Sequence, residues 1–119
     1  MAREKVLWVR EPYLSQILAG RKTIEVRVAY SNIARLEVGD VLRLNDQHRL
    51  HIRRIGRYSD FEELLRNEDP AAIAPDIPAE ALLPTLRAIY PAEKEGLGVV
   101  ALEVEPVGGR GQNSATGQG

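Results

Sequence analysis

The chain has 119 residues, of which 44% are hydrophobic and 28% are charged, and its formal net charge is -1. This length suits one domain with a modest core and excludes two, while the absence of cysteine excludes disulfides and thiolate zinc sites. Because no apolar run approaches the roughly 18 residues of a membrane span and no signal-peptide pattern is present, we expect a cytoplasmic protein without a membrane partner.

The first half of the chain predicts strands joined by short connections. A strand runs from Val6 to Arg10, buried on both faces for part of its length, and Trp8 within it is expected in the core. A short helix follows Pro12 and stops at Gly20. The other strands predicted here are residues 23–30, 41–44 and 49–55, with Asn45-Asp46-Gln47 as a hairpin turn.

The second half predicts two helices and a final strand. Ser59 to Glu62 fits a capping box that starts the first helix. The second helix ends before Pro91, and Pro84 either kinks it or marks its first turn. Residues 98–107 alternate as a strand with one solvent-exposed face. The pattern predicts an α+β domain over residues 1–107 with a mixed or antiparallel sheet, and a disordered tail over residues 108–119.

The two halves carry opposite charges. Residues 1–58 hold 12 Lys/Arg against 6 Asp/Glu, whereas residues 59–119 hold 4 against 11. A basic face would attract phosphate oxygens, because clustered cations displace counterions from a nucleic acid backbone. The alternative is that the two halves pair with each other within the domain.

Potential chemistry is densest in Gly20-Arg21-Lys22-Thr23-Ile24-Glu25-Val26-Arg27. Because strand side chains alternate between faces, Thr23, Glu25 and Arg27 share one face. This polar face, reached through a Gly-Arg-Lys turn, is a candidate site for an anionic, hydrogen-bonding ligand. Lys22 could contact a phosphate or act as a base, whereas the structural alternative is an internal ion pair of Glu25 with Lys22 or Arg27. Thr23 is at best a weak nucleophile candidate, because it needs an adjacent base, and its β-branched side chain indicates a strand residue instead.

A second basic cluster consists of Arg53, Arg54 and Arg57, followed by Tyr58. Arginine and an aromatic ring can grip an unpaired base and its phosphate, although a solvated edge strand explains the same residues. His48 and His51 would face opposite sides of a strand, so no metal site is indicated, and no cofactor is expected.

Taken together, these motifs resemble the ASCH domain. The match covers roughly residues 5–106 and consists of Gly20 to Arg27, Val38-Gly39-Asp40, Arg57-Tyr58 with Phe61, and Ile89-Tyr90-Pro91 before an apolar strand. The resemblance implies a PUA-like fold, a small mixed β-barrel of about five to six strands flanked by short helices. It also implies a cleft between barrel and helices and an association with RNA.

The resemblance further implies two kinds of activity. Some ASCH-like bacterial proteins are amidohydrolases that remove an acyl group from a modified cytidine, and others are associated with RNA cleavage. The amidohydrolase members have a lysine at the position of Lys22 and a threonine nucleophile at the position of Glu25. They also have a glutamate ahead of the last helix, where this chain offers Asp76 or Glu80.

We therefore expect a domain that binds RNA, a nucleotide or a nucleoside in a cleft around the Lys22 to Arg27 strand. The alternative is a small hydrolase of the ribonuclease or acylcytidine amidohydrolase type, with Lys22 and Glu25 as its catalytic residues. The residues expected to bind the ligand are Arg21, Lys22, Thr23, Arg27, Arg53, Arg57 and Tyr58.

Overall fold

A computed structural model describes residues 3–107, and the tail predicted over residues 108–119 lies outside this range. The strands are β1 Glu4–Leu7, β2 Ile24–Val28, β3 Val41–Leu44, β4 His48–Tyr58 and β5 Val99–Pro106. The helices are α1 Tyr13–Leu18, α2 Ser31–Ala34, α3 Phe61–Asn67, α4 Pro70–Ile73, α5 Ala79–Ile89 and α6 Ala92–Glu95. No helix within the described range is long and apolar enough to cross a membrane.

The five strands form one mixed sheet in the order β1-β3-β4-β5-β2. β1 runs parallel to β3, and the other neighbouring pairs are antiparallel. The sheet curls into a half-barrel, so its two edge strands, β1 and β2, approach each other. The Arg27 side chain on β2 spans the opening and donates a hydrogen bond from Nη2 to the Trp8 carbonyl at 2.9 Å. The predicted small α+β barrel-like fold is confirmed.

Two apolar clusters lie on the two sides of the curled sheet. The cluster inside the curl includes Leu42, Leu44, Ile52, Val100 and Leu102. The cluster between the sheet and the helices includes Val28, Phe61, Leu64, Leu82 and Ala101. β5 contributes to both clusters, so the prediction that one of its faces is exposed to solvent is wrong for most of its length. The reason is that α3 packs over this part of the sheet.

Local signals placed the turns correctly. Asn45 and Asp46 both have positive φ angles, 51° and 63°, as expected for the hairpin between β3 and β4. Gly20 follows the last turn of α1 and has a φ of +80°. Glycine adopts this conformation without steric strain, because it has no Cβ atom.

The N-cap of the first predicted helix differs by one residue, and the structure decides between the two alternatives for the second helix. The N-cap of α3 is Asp60, which accepts a hydrogen bond from the Glu63 backbone, and Glu63 reaches back to the Ser59 amide. The capping box therefore ends at Glu63 rather than at Glu62, because aspartate caps a helix as well as serine does. α5 begins at Ala79, so Pro84 lies inside the helix and not in its first turn.

The prediction that Trp8 belongs to the core is also wrong, since Trp8 is 68% exposed. β1 ends at Leu7, and the buried residues on either side of Trp8 are Leu7 and Val9. Successive side chains of an extended segment point to opposite faces, so a residue between two buried neighbours points away from the core. The Trp8 side chain therefore lies on the opposite side, at the opening of the half-barrel. The segment after β1 is thus buried on one face only.

Candidate functional site

A cavity of about 210 Å³ lies along the edge strand β2, between the segment that follows β1 and the helices α4 and α5. Its charged wall comes from Lys22, Glu25 and Arg27, and the exposed Arg10 also lines it. Its aromatic wall comes from Trp8, Tyr13 and Tyr90. Apolar side chains of α4 and α5, including Ile73, Leu82 and Leu86, complete the lining. The cavity therefore joins a small polar cluster to a mainly apolar and aromatic surface.

The turn after α1 directs Lys22 into the protein. The backbone amides of Arg21 and Lys22 both donate to the Gln16 carbonyl, at 2.9 and 3.1 Å, which reverses the chain immediately before β2. The Lys22 side chain is consequently only 5% exposed. An isolated charge would be costly at such a depth, so the partners of its ammonium group decide what it can do.

Three acceptors surround the Lys22 ammonium group. Nζ donates to the carbonyls of Ile24 and Ile73, at 2.6 and 2.7 Å, and lies 3.3 Å from Glu25 Oε1. Burial lowers the pKa of Lys22 from its usual value, and the neighbouring Glu25 carboxylate opposes that decrease. Because an ammonium group has three donors, the charged form satisfies all three acceptors, whereas a neutral amine would leave one unmatched.

Glu25 connects Lys22 to Arg27. Its other carboxylate oxygen, Oε2, accepts a hydrogen bond from Arg27 Nε at 2.7 Å. Arg27 is held in place a second time by its bond to the Trp8 carbonyl. Two cations and one carboxylate leave this cluster with a formal charge of +1. Of the two cations, Arg27 is the more accessible, with its side chain 21% exposed.

Asn45 fixes the aromatic side of the cavity. Its side chain accepts a hydrogen bond from the Val9 amide at 2.8 Å and donates to the Val9 carbonyl at 3.1 Å. These two bonds hold the segment that carries Trp8 against the hairpin between β3 and β4. The sequence indicated only a turn-forming role for Asn45.

The structure brings Lys22, Glu25 and Arg27 together and places the other predicted binding residues elsewhere. Arg21 pairs with Asp76, and Thr23 lies with Arg53 along a groove beside the end of α1 that Lys22 also lines. The remaining three residues lie on β4. Arg53 is 3.6 Å from Glu105, Arg57 donates to the carbonyls of Ala34 and Leu36, and Tyr58 donates to Glu68.

Aromatic residues of the cavity were missed or misplaced by the sequence prediction. Tyr90 lines the cavity and belongs to the Ile89-Tyr90-Pro91 motif. From the apolar residues before it, the sequence predicted only that Tyr90 belongs to the apolar face of a helix. The exposed position of Trp8 could have been inferred from its alternation with the apolar residues Leu7 and Val9. Asp76, which precedes α5, and Glu80, which lies in its first turn, are not among the described residues that line the cavity.

The chemistry of the cavity suits a ligand that is both flat and anionic. Aromatic rings offer surfaces on which a planar group can stack, and the guanidinium of Arg27 matches the oxygens of a phosphate. Within residues 3–107, no group of three or more histidine or acidic side chains is arranged to hold a metal ion.

These features define a small α+β half-barrel with a cavity at its open edge, and comparison with known proteins gives its family. The chain belongs to the ASCH domain family, whose model matches residues 7–108. This confirms the family resemblance drawn from the motifs.

Two structures stand among the solved ones that are similar to the chain. The first is the hypothetical protein PH0355, with 29% identity and a TM-score of 0.81, covering 87% of this chain and 99% of that one. The second is protein PF0455 from Pyrococcus furiosus, with 30% identity and a TM-score of 0.70, covering 90% of this chain and 98% of that one. None of the curated proteins matches the chain.

Proposed function

We propose that this protein binds RNA or a nucleotide and holds one unpaired nucleotide in the cavity beside β2. The observation that carries the proposal is the combination, in one cavity, of a cluster with a charge of +1 and an aromatic wall. Stacking of a base on an aromatic side chain contributes roughly 1–3 kcal/mol and depends little on the base. A cytoplasmic location is part of this proposal, because RNA is abundant there.

Each charged residue of the cavity has a different role in this proposal. Arg27 contacts the phosphate, since its side chain is the more accessible of the two cations paired with Glu25. Glu25 orients Arg27 through the bond between Oε2 and Nε. Lys22 is too deeply buried and too fully bonded to reach a phosphate, so it anchors Glu25 and adds positive potential. Roles for Arg21, Thr23, Arg53, Arg57 and Tyr58 along a longer RNA stay predictions.

The shape of the cavity favours unpaired nucleotides. A base within a duplex is stacked on both faces and paired along one edge. It therefore cannot enter a recess between β2 and α5 without being extruded. Loops and single strands present bases that are already free. We therefore expect single-stranded RNA to bind more tightly than the same sequence in a duplex.

Fluorescence of Trp8 tests this proposal, because Trp8 is the one tryptophan of the chain and borders the cavity. Titration with a short single-stranded RNA should change its emission. Replacing Arg27 with Ala should weaken binding by about tenfold or more, because hydrogen bonds to charged groups contribute roughly 1.5–3 kcal/mol. Arg27→Lys should recover part of the loss.

The matched control is Arg66→Ala, which removes an exposed arginine from α3, away from the cavity. It should bind RNA like the wild type, and circular dichroism should show that all variants are folded. If Arg66→Ala and Arg27→Ala weaken binding equally, only the overall charge matters and the cavity is not the site. Equal affinity for single strands and duplexes would also contradict the proposal.

A second candidate function is hydrolysis in the same cavity, favoured by the enclosed pair of Lys22 and Glu25 and by the lowered pKa of Lys22. For an acylated nucleoside, Glu25 would take a proton from water, and the water oxygen would bond to the acyl carbon. The bond from that carbon to nitrogen would break, and Lys22 would supply a proton to the leaving nitrogen.

Turnover of an acylated cytidine and of an RNA oligonucleotide tests this candidate. If hydrolysis occurs, Glu25→Gln should reduce kcat by at least about a hundredfold while the affinity changes little. Lys22→Arg keeps a positive charge but provides no group that releases a proton near neutral pH, so kcat should fall similarly. A wild-type protein that binds RNA and turns over neither substrate would eliminate the hydrolase.

A further inference from the structure

A second cavity, of about 300 Å³, adjoins the first at the opening of the half-barrel. It lies between the edge strands β1 and β2 and the start of α2. The two cavities share Trp8, Arg27 and Tyr90 as walls. The hydrogen bond from Arg27 to the Trp8 carbonyl therefore borders both of them.

The second cavity repeats the chemistry of the first. The Tyr30 ring, 39% exposed, offers an aromatic surface that lines this cavity alone. Lys5 adds a positive charge, and the Asn32 amide offers both a donor and an acceptor for the edge of a base. Outside the lining, Lys94 Nζ lies 5.9 Å from the centre of the Tyr30 ring. Among the described residues that line the second cavity, none is acidic.

We propose that the second cavity holds the neighbouring nucleotide, so that the site recognises two consecutive unpaired nucleotides joined by a phosphodiester. One base lies in each cavity, and the linking phosphate lies against Arg27 at their shared border. This inference rests on the proposed function, and it specifies the ligand as an RNA strand rather than a free nucleoside.

The sizes of the cavities support a ligand of two units. Ligand sites typically enclose roughly 300–1,000 Å³. The first cavity, at 210 Å³, is smaller than this range and the second, at 300 Å³, lies at its lower bound, so the two together give room for a ligand of two units. The charges point the same way, because Lys5 and Arg27 flank the path of a phosphate backbone, and an RNA strand carries one negative charge per linkage.

The test compares the four ribonucleoside 5′-monophosphates with the four 5′-phosphorylated homodinucleotides, using Trp8 fluorescence. The dinucleotides carry 2′-O-methyl groups, which prevent cleavage through the 2′-hydroxyl. With the wild-type protein, at least one dinucleotide should bind about tenfold or more tightly than its monophosphate, as expected for one additional stacked base.

Two tyrosine variants assign this gain to a cavity. Tyr30→Ala should abolish the preference for dinucleotides and leave the affinity for monophosphates unchanged, because Tyr30 lines only the second cavity. Tyr13→Ala should weaken the binding of monophosphates and dinucleotides alike. Tyr13 lines the first cavity, which both kinds of ligand occupy. Val38→Ala, which removes an exposed side chain that lines neither cavity, is the matched control and should change neither affinity.

Different outcomes overturn the two proposals separately. If monophosphates bind and dinucleotides bind no more tightly, the second subsite is refuted and the proposed function stands. If the preference for dinucleotides survives Tyr30→Ala together with Lys5→Ala, the second nucleotide lies elsewhere. If no ligand binds, the proposed function fails and the subsite fails with it.

Discussion

Lys22 shows at the scale of single residues what sequence patterns can and cannot predict. Its presence in a site was predicted from the cluster of polar residues and from the family resemblance. The sequence does not decide the role of Lys22, because residue spacing specifies the face to which a side chain points but not the acceptors that it contacts. The carbonyls of Ile24 and Ile73 come from different parts of the chain, and only the folded structure brings both to Nζ. The structural alternative, an internal ion pair with Glu25, is therefore present within the candidate site itself.

Gly56 illustrates a residue whose small size the structure explains. A Cβ atom at this position would clash with Glu68 Oε2 and lie 2.8 Å from the Tyr58 ring. Glu68 cannot move away freely, because two nitrogens of Arg54 donate to its carboxylate, at 2.6 and 3.0 Å, and Tyr58 also donates to it. This network joins β4 to the end of α3.

We predict that Gly56→Ala destabilises the protein by about 1–3 kcal/mol, because the added methyl group must displace Glu68 or distort β4. The thermal midpoint should fall by several degrees. The matched control is Gly96→Ala, since Gly96 has a helical φ of -62° and a Cβ there would meet only the Glu93 carbonyl, at 3.5 Å. Equal midpoints for the two variants in a thermal melt would contradict the explanation.

At the scale of elements, prediction succeeded where the signal was local. The hairpin between β3 and β4 has turn residues that tolerate positive φ, and α1 stops at a glycine. The short helices α2, α4 and α6 have four residues each, too few to show helical periodicity. The burial of both faces of β5 was missed because it depends on α3, which is distant in sequence.

The candidate site is likewise a product of several elements. β2 supplies its charged cluster, the segment after β1 supplies Trp8, and the end of α5 together with Tyr90 supplies the opposite wall. Only the first of these was predicted from the sequence, because its residues are contiguous. The other two depend on the curl of the sheet, which brings its two edges together, and strand alternation does not encode that curl.

At the scale of the whole molecule, the opposite charges of the two halves are partly neutralised by internal pairing. Arg54 bonds to Glu68 and Glu103, Arg21 pairs with Asp76, and Arg53 lies near Glu105. Two basic residues of β4, Arg53 and Arg54, are therefore engaged with acidic residues from the second half. The cavities at the opening of the half-barrel differ, since three cations, Arg10, Lys22 and Arg27, line the first with a single carboxylate, Glu25, and Lys5 lines the second.

The most direct test of the central claim, that the cavity beside β2 is the RNA site, is a map of backbone amide chemical shifts in the isotope-labelled full chain during titration with a short single-stranded RNA. The account predicts that the largest changes occur in β2 between Lys22 and Arg27, around Trp8 and at Tyr90, together with the Trp8 indole signal. Changes concentrated in β4 from Arg53 to Tyr58, with β2 unaffected, would contradict it.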